Sequence, residues 1–333
     1  MIVRYVFTFY LASSATSSKL AAKFDAMRYD DLCEVEFSNR GPFWHICTPG
    51  DLSGILFRDE EDYVFGMNAV ALSAAENLGK VDIYTFQIMS NHFHFVVAGN
   101  MVEVEAFFRQ YLKRIRRYLV SKYMDPDFKL LKFKSIPVND LKYLRNVILY
   151  VNRNGYVVSR NETPFSYRWG ANAYFFNSLM LNENRVALSS LSIDARRKMF
   201  HSRIFRFPSG YYLTNGYVSP LCYCNIPAAE CFFRDANHYF LSVSRQVESF
   251  SDLARELGDR VTFTDDEIYF IVLSLCRKEH NVDLPYQLDK DAKIDMAKQM
   301  HHKYNASNKQ IRRILRLDET IIDSLFPNAS AVK

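Results

Sequence analysis

The 333-residue sequence has no run of about 18 apolar residues, so it offers no helix of the kind that crosses a bilayer. It has no C-x-x-C pair. Its six cysteines, Cys33, Cys47, Cys222, Cys224, Cys231 and Cys276, follow no regular spacing. That argues against a disulfide-stapled domain and for a reducing, cytoplasmic setting. It has neither an internal repeat nor a low-complexity tract, so nothing in it points to a solenoid. A large excess of either charge is missing too: 42 Lys and Arg face 37 Asp and Glu, a net +5 that permits nucleic acid as a partner without demanding it.

What is present is a core. Hydrophobic residues make up 49% of the chain and charged ones 24%, a globular balance with mass for one large domain or two ordinary ones. The segment MIVRYVFTFYLASSATSS at the start imitates a secretory signal, but Arg4 and two tyrosines break its apolar run. It is read as an element packed on the core, within an N-terminal extension over 1–40. Cys222-x-Cys224, with Cys231 and His238 beyond, fits no common zinc module and reads as half-buried thiols.

From residue 41 the pattern is regular. GPFWHICTPG (41–50) reads as a strand closed by a Pro-Gly turn, and 58–80 as a helix with acidic residues in its first turn and a stop at Gly79. Two short strands, 81–89 and 93–99, are joined by a tight turn at Ser90-Asn91. In 101–123 the positions Val104, Phe107, Phe108, Tyr111, Leu112, Ile115, Tyr118 and Leu119 keep helical spacing. A strand or loop over 130–138 ends at Pro137. A helix over 139–155 has an Asn/Asp cap and a Gly stop. Strand, helix, strand, strand, helix, then strand and helix predicts an α+β domain, ferredoxin-like in outline, with an antiparallel sheet and helices on one face. The Tyr- and Phe-rich stretch 176–250 shows no clear period and reads as a connecting region. From 251 the chain is helical, and 305–326 has the spacing of a helix-turn-helix unit.

The stretch IMSNHFHFVV (88–97) carries the chemistry. Residues two apart in a strand share a face, so His92, His94 and Val96 lie on one side and Phe93, Phe95 and Val97 on the other. The aromatic side belongs against helices, and the histidine side is expected to be exposed or to line a cleft. Paired imidazoles on a stiff backbone suit a divalent metal or a phosphate oxygen, although most strand histidines are merely hydrogen-bonded. In ILYVNRNG, Tyr150 and Asn154 stand four apart, one turn above each other on a helix. Between 109 and 145 eleven Lys and Arg face three acids, an excess of eight that exceeds the whole chain's +5. Arg109, Lys113, Arg114, Arg116 and Arg117 begin this run. A solvated face explains many such runs; beside a metal site, a phosphodiester substrate would require one. Lys309, Arg312 and Arg313 mark the first helix of the C-terminal unit as a second candidate DNA contact.

Taken in order, PFWHICTPGDLSGILFRDEEDYVFGMNAV, YTFQIMSNHFHFVV and YLRNVILYVNRNGYVV resemble the single-tyrosine HUH transposases of the IS200-like superfamily, and more closely the REP-associated branch. The likeness covers about 41–175, which would be the nuclease domain, with 251–333 as a helical domain. Three positions depart from the branch: Ser90 and Gly155 stand where it has prolines, and PFSYRWGANAYF is a loose version of its Trp-Ser-Ser-Tyr segment.

The resemblance implies Tyr150 as nucleophile and a Mg²⁺ or Mn²⁺ ion on His92, His94 and Asn154. It implies single-stranded or hairpin DNA as partner, a 5′-phosphotyrosine intermediate, and either a homodimer or a monomer in the cytoplasm or on the nucleoid. His45 falls where the family's first strand has its own histidine and is given no role. Tyr118, Tyr123 and Tyr143 compete as nucleophiles but lack the matching Asn. A relaxase would bring a third histidine soon after the pair, which HFHFVVAGNM does not. A non-catalytic DNA-binding descendant remains the principal alternative. An unrelated metalloenzyme would need a distant carboxylate ligand.

Overall fold

The structure, a computed structural model, describes residues 28–48, 56–124, 132–158, 167–182, 184–203, 205–245 and 265–327. The signal-like start, the Pro-Gly turn at 49–50, residues 125–131 of the basic stretch and the first residues of PFSYRWGANAYF lie outside the described residues. The chain divides into two compact units. One comprises Met1–Tyr156 with Asn161–Ser244, and the other Val157–Arg160 with Arg245–Lys333. The stretch 176–244 therefore belongs to the first unit.

The first unit opens with α1 (Tyr29–Arg40), β1 (Phe43–Cys47) and α2 (Glu60–Glu76). Asp59 caps α2 by accepting from Asp62 N–H, and Gly79 takes the positive φ (76°) that turns the chain into the next strand. Then come β2 (Val81–Ile88), β3 (Phe93–Gly99), α3 (Met101–Tyr123), β4 (Lys134–Val138) and α4 (Leu141–Val158). The expected helix over 101–123 has those limits, capped by Asn100. By contrast α4 runs through Gly155 to Val158, so this glycine is no stop signal.

The four strands form one antiparallel sheet in the order β2-β3-β1-β4. Pro137 lies on β4, an edge strand, where its missing N–H costs no central ladder bond. The outer edge of β2 is covered by chain: Ile88 N–H donates to Trp169 O, Ala171 N–H to Phe86 O, and Asn225 N–H to Ile83 O. Gly170 is required here, because a Cβ would stand 2.5 Å from the Phe86 carbonyl oxygen.

Helices cover both faces of the sheet, which corrects the expectation of one. Phe93 and Phe95 pack edge-on against Phe107, Phe108 and Tyr111 of α3, with Phe57 also against Phe93. On the opposite face α4 lies over His45 and His94 through Tyr150. Phe43 on this second face packs against Phe37 of α1 and against Phe232. A strand pair apolar on one face and dotted with small polar groups on the other can be buried on both, provided the second layer supplies hydrogen bonds.

The Tyr-rich stretch contributes β5 (Val186–Ala187), α5 (Ile193–Phe200), β6 (Tyr212–Thr214), β7 (Tyr217–Val218), α6 (Ile226–Glu230) and α7 (Ala236–Arg245). Strands β5-β6-β7 form a small sheet, and Leu188, Phe200, Tyr211, Leu213 and Val218 pack on Ala71 and Leu72 of α2. Such two- and three-residue strands are too short to print a period on the sequence. In the second unit α8 (Asp265–His280), α9 (Lys290–His302), α10 (Asn308–Leu315) and α11 (Glu319–Leu325) bury Ile271, Val272, Met296, Met300, Ile311 and Ile322. Ser307 and Gln310 form the capping box of α10, and Asp318 caps α11. No described helix is long and apolar enough to cross a membrane.

Candidate active site

The register of the central strands builds the site. Cys47 stands directly opposite His94, and His45 opposite Val96, so His45, Cys47 and His94 share the face beneath α4. All three are at most 1% exposed. His45 Nε2 lies 3.2 Å from His94 Nδ1, and the donor atoms of the three residues lie within 4.8 Å of one another. Together they form a buried group that could hold a metal ion. Among the described residues it is the only group of three or more His, Cys, Asp or Glu with that geometry.

Tyr150 reaches this group from α4. Its ring stands edge-on to His94, with centroids 5.3 Å apart, and 6.2 Å from His45. It is only 1% exposed. Asn154, one turn on, is also buried, and its amide nitrogen finds no partner among the described residues. His92 is half-buried at the shoulder of the hairpin, just before β3 begins, where Met89 N–H donates to its carbonyl. Its ring meets His94 edge to face at 4.9 Å, while its Nδ1 lies 2.6 Å from Asn91 Oδ1.

The expected histidine pair is thus together with the expected tyrosine. Two features differ. The histidine face is covered rather than open, because α4 packs on it. And His94 has Cys47 and His45 beside it as further donors, besides His92 at its edge. The signal for this was present in FWHIC, whose His-x-Cys alternation repeats that of His92-x-His94. What the sequence hides is that β1 and β3 are neighbours in that register.

Residues 85 and 152 add a polar layer that sequence patterning does not reveal. The Thr85 hydroxyl donates to Asn152 Oδ1, and Asn152 Nδ2 donates to Tyr239 Oη at 2.8 Å. Gln87 Nε2 donates to the Asn152 carbonyl at 3.0 Å, and Tyr239 in turn donates to Asn172 Oδ1 at 3.3 Å. This network ties α4 to β2 and α7, and so holds Tyr150 two residues away. Burial pushes the Tyr239 phenol far above its ordinary value, which keeps it a donor.

Of the competing tyrosines, Tyr143 is half-buried on α4 itself, about two turns before Tyr150, and the other two lie elsewhere. Tyr118 and Tyr123 sit on α3, on the other side of the sheet, and both donate to buried Asp62, at 3.0 and 2.6 Å. Burial, then the Asp62 hydrogen bond, pushes Tyr123 up to about 12, away from nucleophilic use. Cys222, Cys224 and Cys231 form no metal group with His238. Burial raises all three thiols, Cys231 to about 12.

The basic residues of α3 are separated from the histidines by the sheet. Arg109 pairs with Glu105 at 2.8 Å, and Arg114 with Glu76 at 2.6 Å and with Ser73 at 3.0 Å. Arg116 is exposed. Lys113, Arg114 and Arg117 line a cleft of about 400 Å³ with Phe65, Tyr118 and His201. On the histidine face itself the cation in register is Lys134, opposite Cys47 on β4. Lys309, Arg312 and Arg313 are exposed on α10 of the second unit, where Arg312 pairs with Glu319 at 2.6 Å.

The buried group is a different donor set from the His92, His94 and Asn154 that the resemblance implies for Mg²⁺ or Mn²⁺. Mg²⁺ and Mn²⁺ take oxygen ligands and keep several waters. Two buried imidazoles and a thiol offer no oxygen, so His45, Cys47 and His94 do not suit either ion. No family profile, curated protein or solved structure matches the chain.

Proposed function

We propose that this chain is a single-stranded DNA endonuclease and strand transferase whose nucleophile is Tyr150, akin to the single-tyrosine HUH transposases. One observation carries the reading: the Tyr150 ring stands edge-on to His94, 5.3 Å away, on a helix laid across the histidine face. The sheet order β2-β3-β1-β4 with strand-helix-strand-strand-helix-strand connectivity supports a ferredoxin-like assignment, the fold in which that chemistry is expected.

In the proposed step the Tyr150 phenolic oxygen attacks phosphorus, forming a tyrosyl P–O bond as the P–O3′ bond breaks. The phenol gives up its proton and the departing 3′ oxygen takes one up as a 3′-OH. A phenol near its ordinary pKa of about 10 is a poor nucleophile at neutral pH, so the proton needs an acceptor. The histidine pair offers an imidazole for it. Because the phosphotyrosine keeps the diester bond energy, a second 3′-OH reverses the step and strands are exchanged without ATP. The basic face of α3 and the helices α10 and α11, as a helix-turn-helix, would grip DNA through its backbone.

The burial of Tyr150 favours a second reading, a catalytically silent DNA-binding descendant in which the tyrosine only packs. A denaturing protein gel separates the two. Labelled single-stranded and hairpin DNAs are incubated with the full chain and with Tyr150→Phe, with and without added divalent metal. A protein–DNA adduct lost in Tyr150→Phe is the expected result. Binding to DNA with no adduct under any condition would overturn the catalytic reading in favour of the second, and an adduct surviving in Tyr150→Phe would remove this nucleophile.

A further inference from the structure

We propose that His45, Cys47 and His94 form a site for a thiophilic divalent cation of the Zn²⁺ class. The proposal stands apart from the DNA reading, since it concerns what the strand pair binds in the absence of any substrate. It departs from the Mg²⁺ or Mn²⁺ that the resemblance implies.

The geometry is that of a site held by backbone. Cys47 and His94 are direct partners across β1 and β3, and His45 stands two residues before Cys47 on the same face. A central ladder fixes these Cβ positions, so only χ angles need adjust on binding. Zinc bonds of about 2.0 Å to nitrogen and 2.3 Å to sulfur, arranged tetrahedrally, set ligand atoms about 3.3–3.7 Å apart. The His45–His94 edge, at 3.2 Å, already has that length, and the longest edge, at no more than 4.8 Å, closes with small side-chain rotations.

A hydrogen bond between the two imidazoles accounts for the 3.2 Å contact, and the Cys47 thiol adds a soft donor within 4.8 Å of both. Burial adds to the argument. A hard cation would have to shed most of its water to reach atoms that are at most 1% exposed, and these three residues return nitrogen and sulfur rather than oxygen. For Zn²⁺, two neutral imidazoles and a thiolate replace that water with stronger bonds. Three protein donors also leave a fourth position, the arrangement of zinc sites that take a further ligand.

The test uses the full chain, stripped with a chelator and titrated with Co²⁺ in the absence of DNA. One equivalent should produce a thiolate-to-cobalt charge-transfer band in the near ultraviolet, removed by Zn²⁺ and untouched by excess Mg²⁺. Cys47→Ser should lose the band and weaken Zn²⁺ binding by about a hundredfold, the upper end of what even outer partners of a metal site cost. A band that persists in Cys47→Ser would assign the ion to one of the other five cysteines and overturn the proposal. So would Co²⁺ binding without a band, or no binding at all. Should Cys47→Ser fail to fold, alkylation of the wild type followed by peptide mapping reads the same point: Zn²⁺ must protect Cys47 selectively. Equal labelling with and without Zn²⁺ would overturn the site. None of these outcomes depends on whether Tyr150 forms a DNA adduct.

Discussion

The two faces of the central sheet are buried to the same degree and built on opposite principles. Beneath α2 and α3, the face of Ile46, Phe86, Phe93 and Phe95 is apolar but for Ser135, opposite Ile46 on β4. Beneath α4, the face carries His45, Cys47, Thr85, Gln87 and His94, and α4 answers with Tyr150 and Asn152. The first face needs only volume and shape, so its stability is spread over many interchangeable contacts. The second has to satisfy each buried polar atom individually, and a single missing partner leaves a desolvated group behind.

The largest effect expected from breaking the apolar face is at Phe95. Its ring stacks on Phe86 at 5.3 Å and meets Phe107, Phe108 and Tyr111 edge-on. Phe95→Ala should lower unfolding stability by about 3–5 kcal/mol, measured by urea denaturation. A loss below about 1 kcal/mol would mean that α3 repacks freely and that this face is not the structural one. Phe95→Leu, nearer in volume, should recover most of the loss.

The polar face should respond less, but with coupling. Asn152→Leu removes the acceptor for Thr85 and the donor to Tyr239, at a cost of about 1–3 kcal/mol. In that background Thr85→Val should cost about 1 kcal/mol less than it does alone, because its hydroxyl has already lost its acceptor. Additive effects in this double-mutant cycle would dissolve the distinction between the two faces. In both variants Tyr150 stays in place only if the rest of α4 holds, so the adduct yield reports on positioning, independently of stability.

The apolar face was the legible one. Its helix over 101–123 and the alternation in β3 follow from periods of 3.6 and 2, which depend on local sequence alone. The tyrosine above the histidines was legible as well, through the four-residue spacing of Tyr150 and Asn154 and the order of the motifs. Three things were not. That β1 lies against β3 is a long-range choice among antiparallel neighbours, and it alone brings Cys47 to His94. That α3 and α4 fall on opposite sides of the sheet decides that Arg109, Lys113 and Arg117 do not flank the histidines, although a count of charges along the chain puts them near. That Gly155 continues α4 shows that an intrinsic penalty of about 1 kcal/mol does not by itself end a helix.

The smallest effect sharpens the comparison from a third histidine. His201 lies on the α2–α3 side, edge-on to Phe65 and Tyr118 at 5.1 Å from each. It is exposed overall, and the partial burial of its ring against Phe65 and Tyr118 lowers its pKa below the ordinary value. The unfolded chain therefore takes up a proton there more readily than the native one. The stability His201 contributes is present above the unfolded pKa of about 6.5 and is lost as pH falls through the lower, folded value. Wild type should accordingly lose urea resistance between about pH 7.5 and about pH 5.5, and His201→Phe should lose less. If the two proteins respond alike, His201 is solvated in both protonation states. A smaller loss in the variant would establish that this partly exposed imidazole loses hydration on folding against Phe65 and Tyr118.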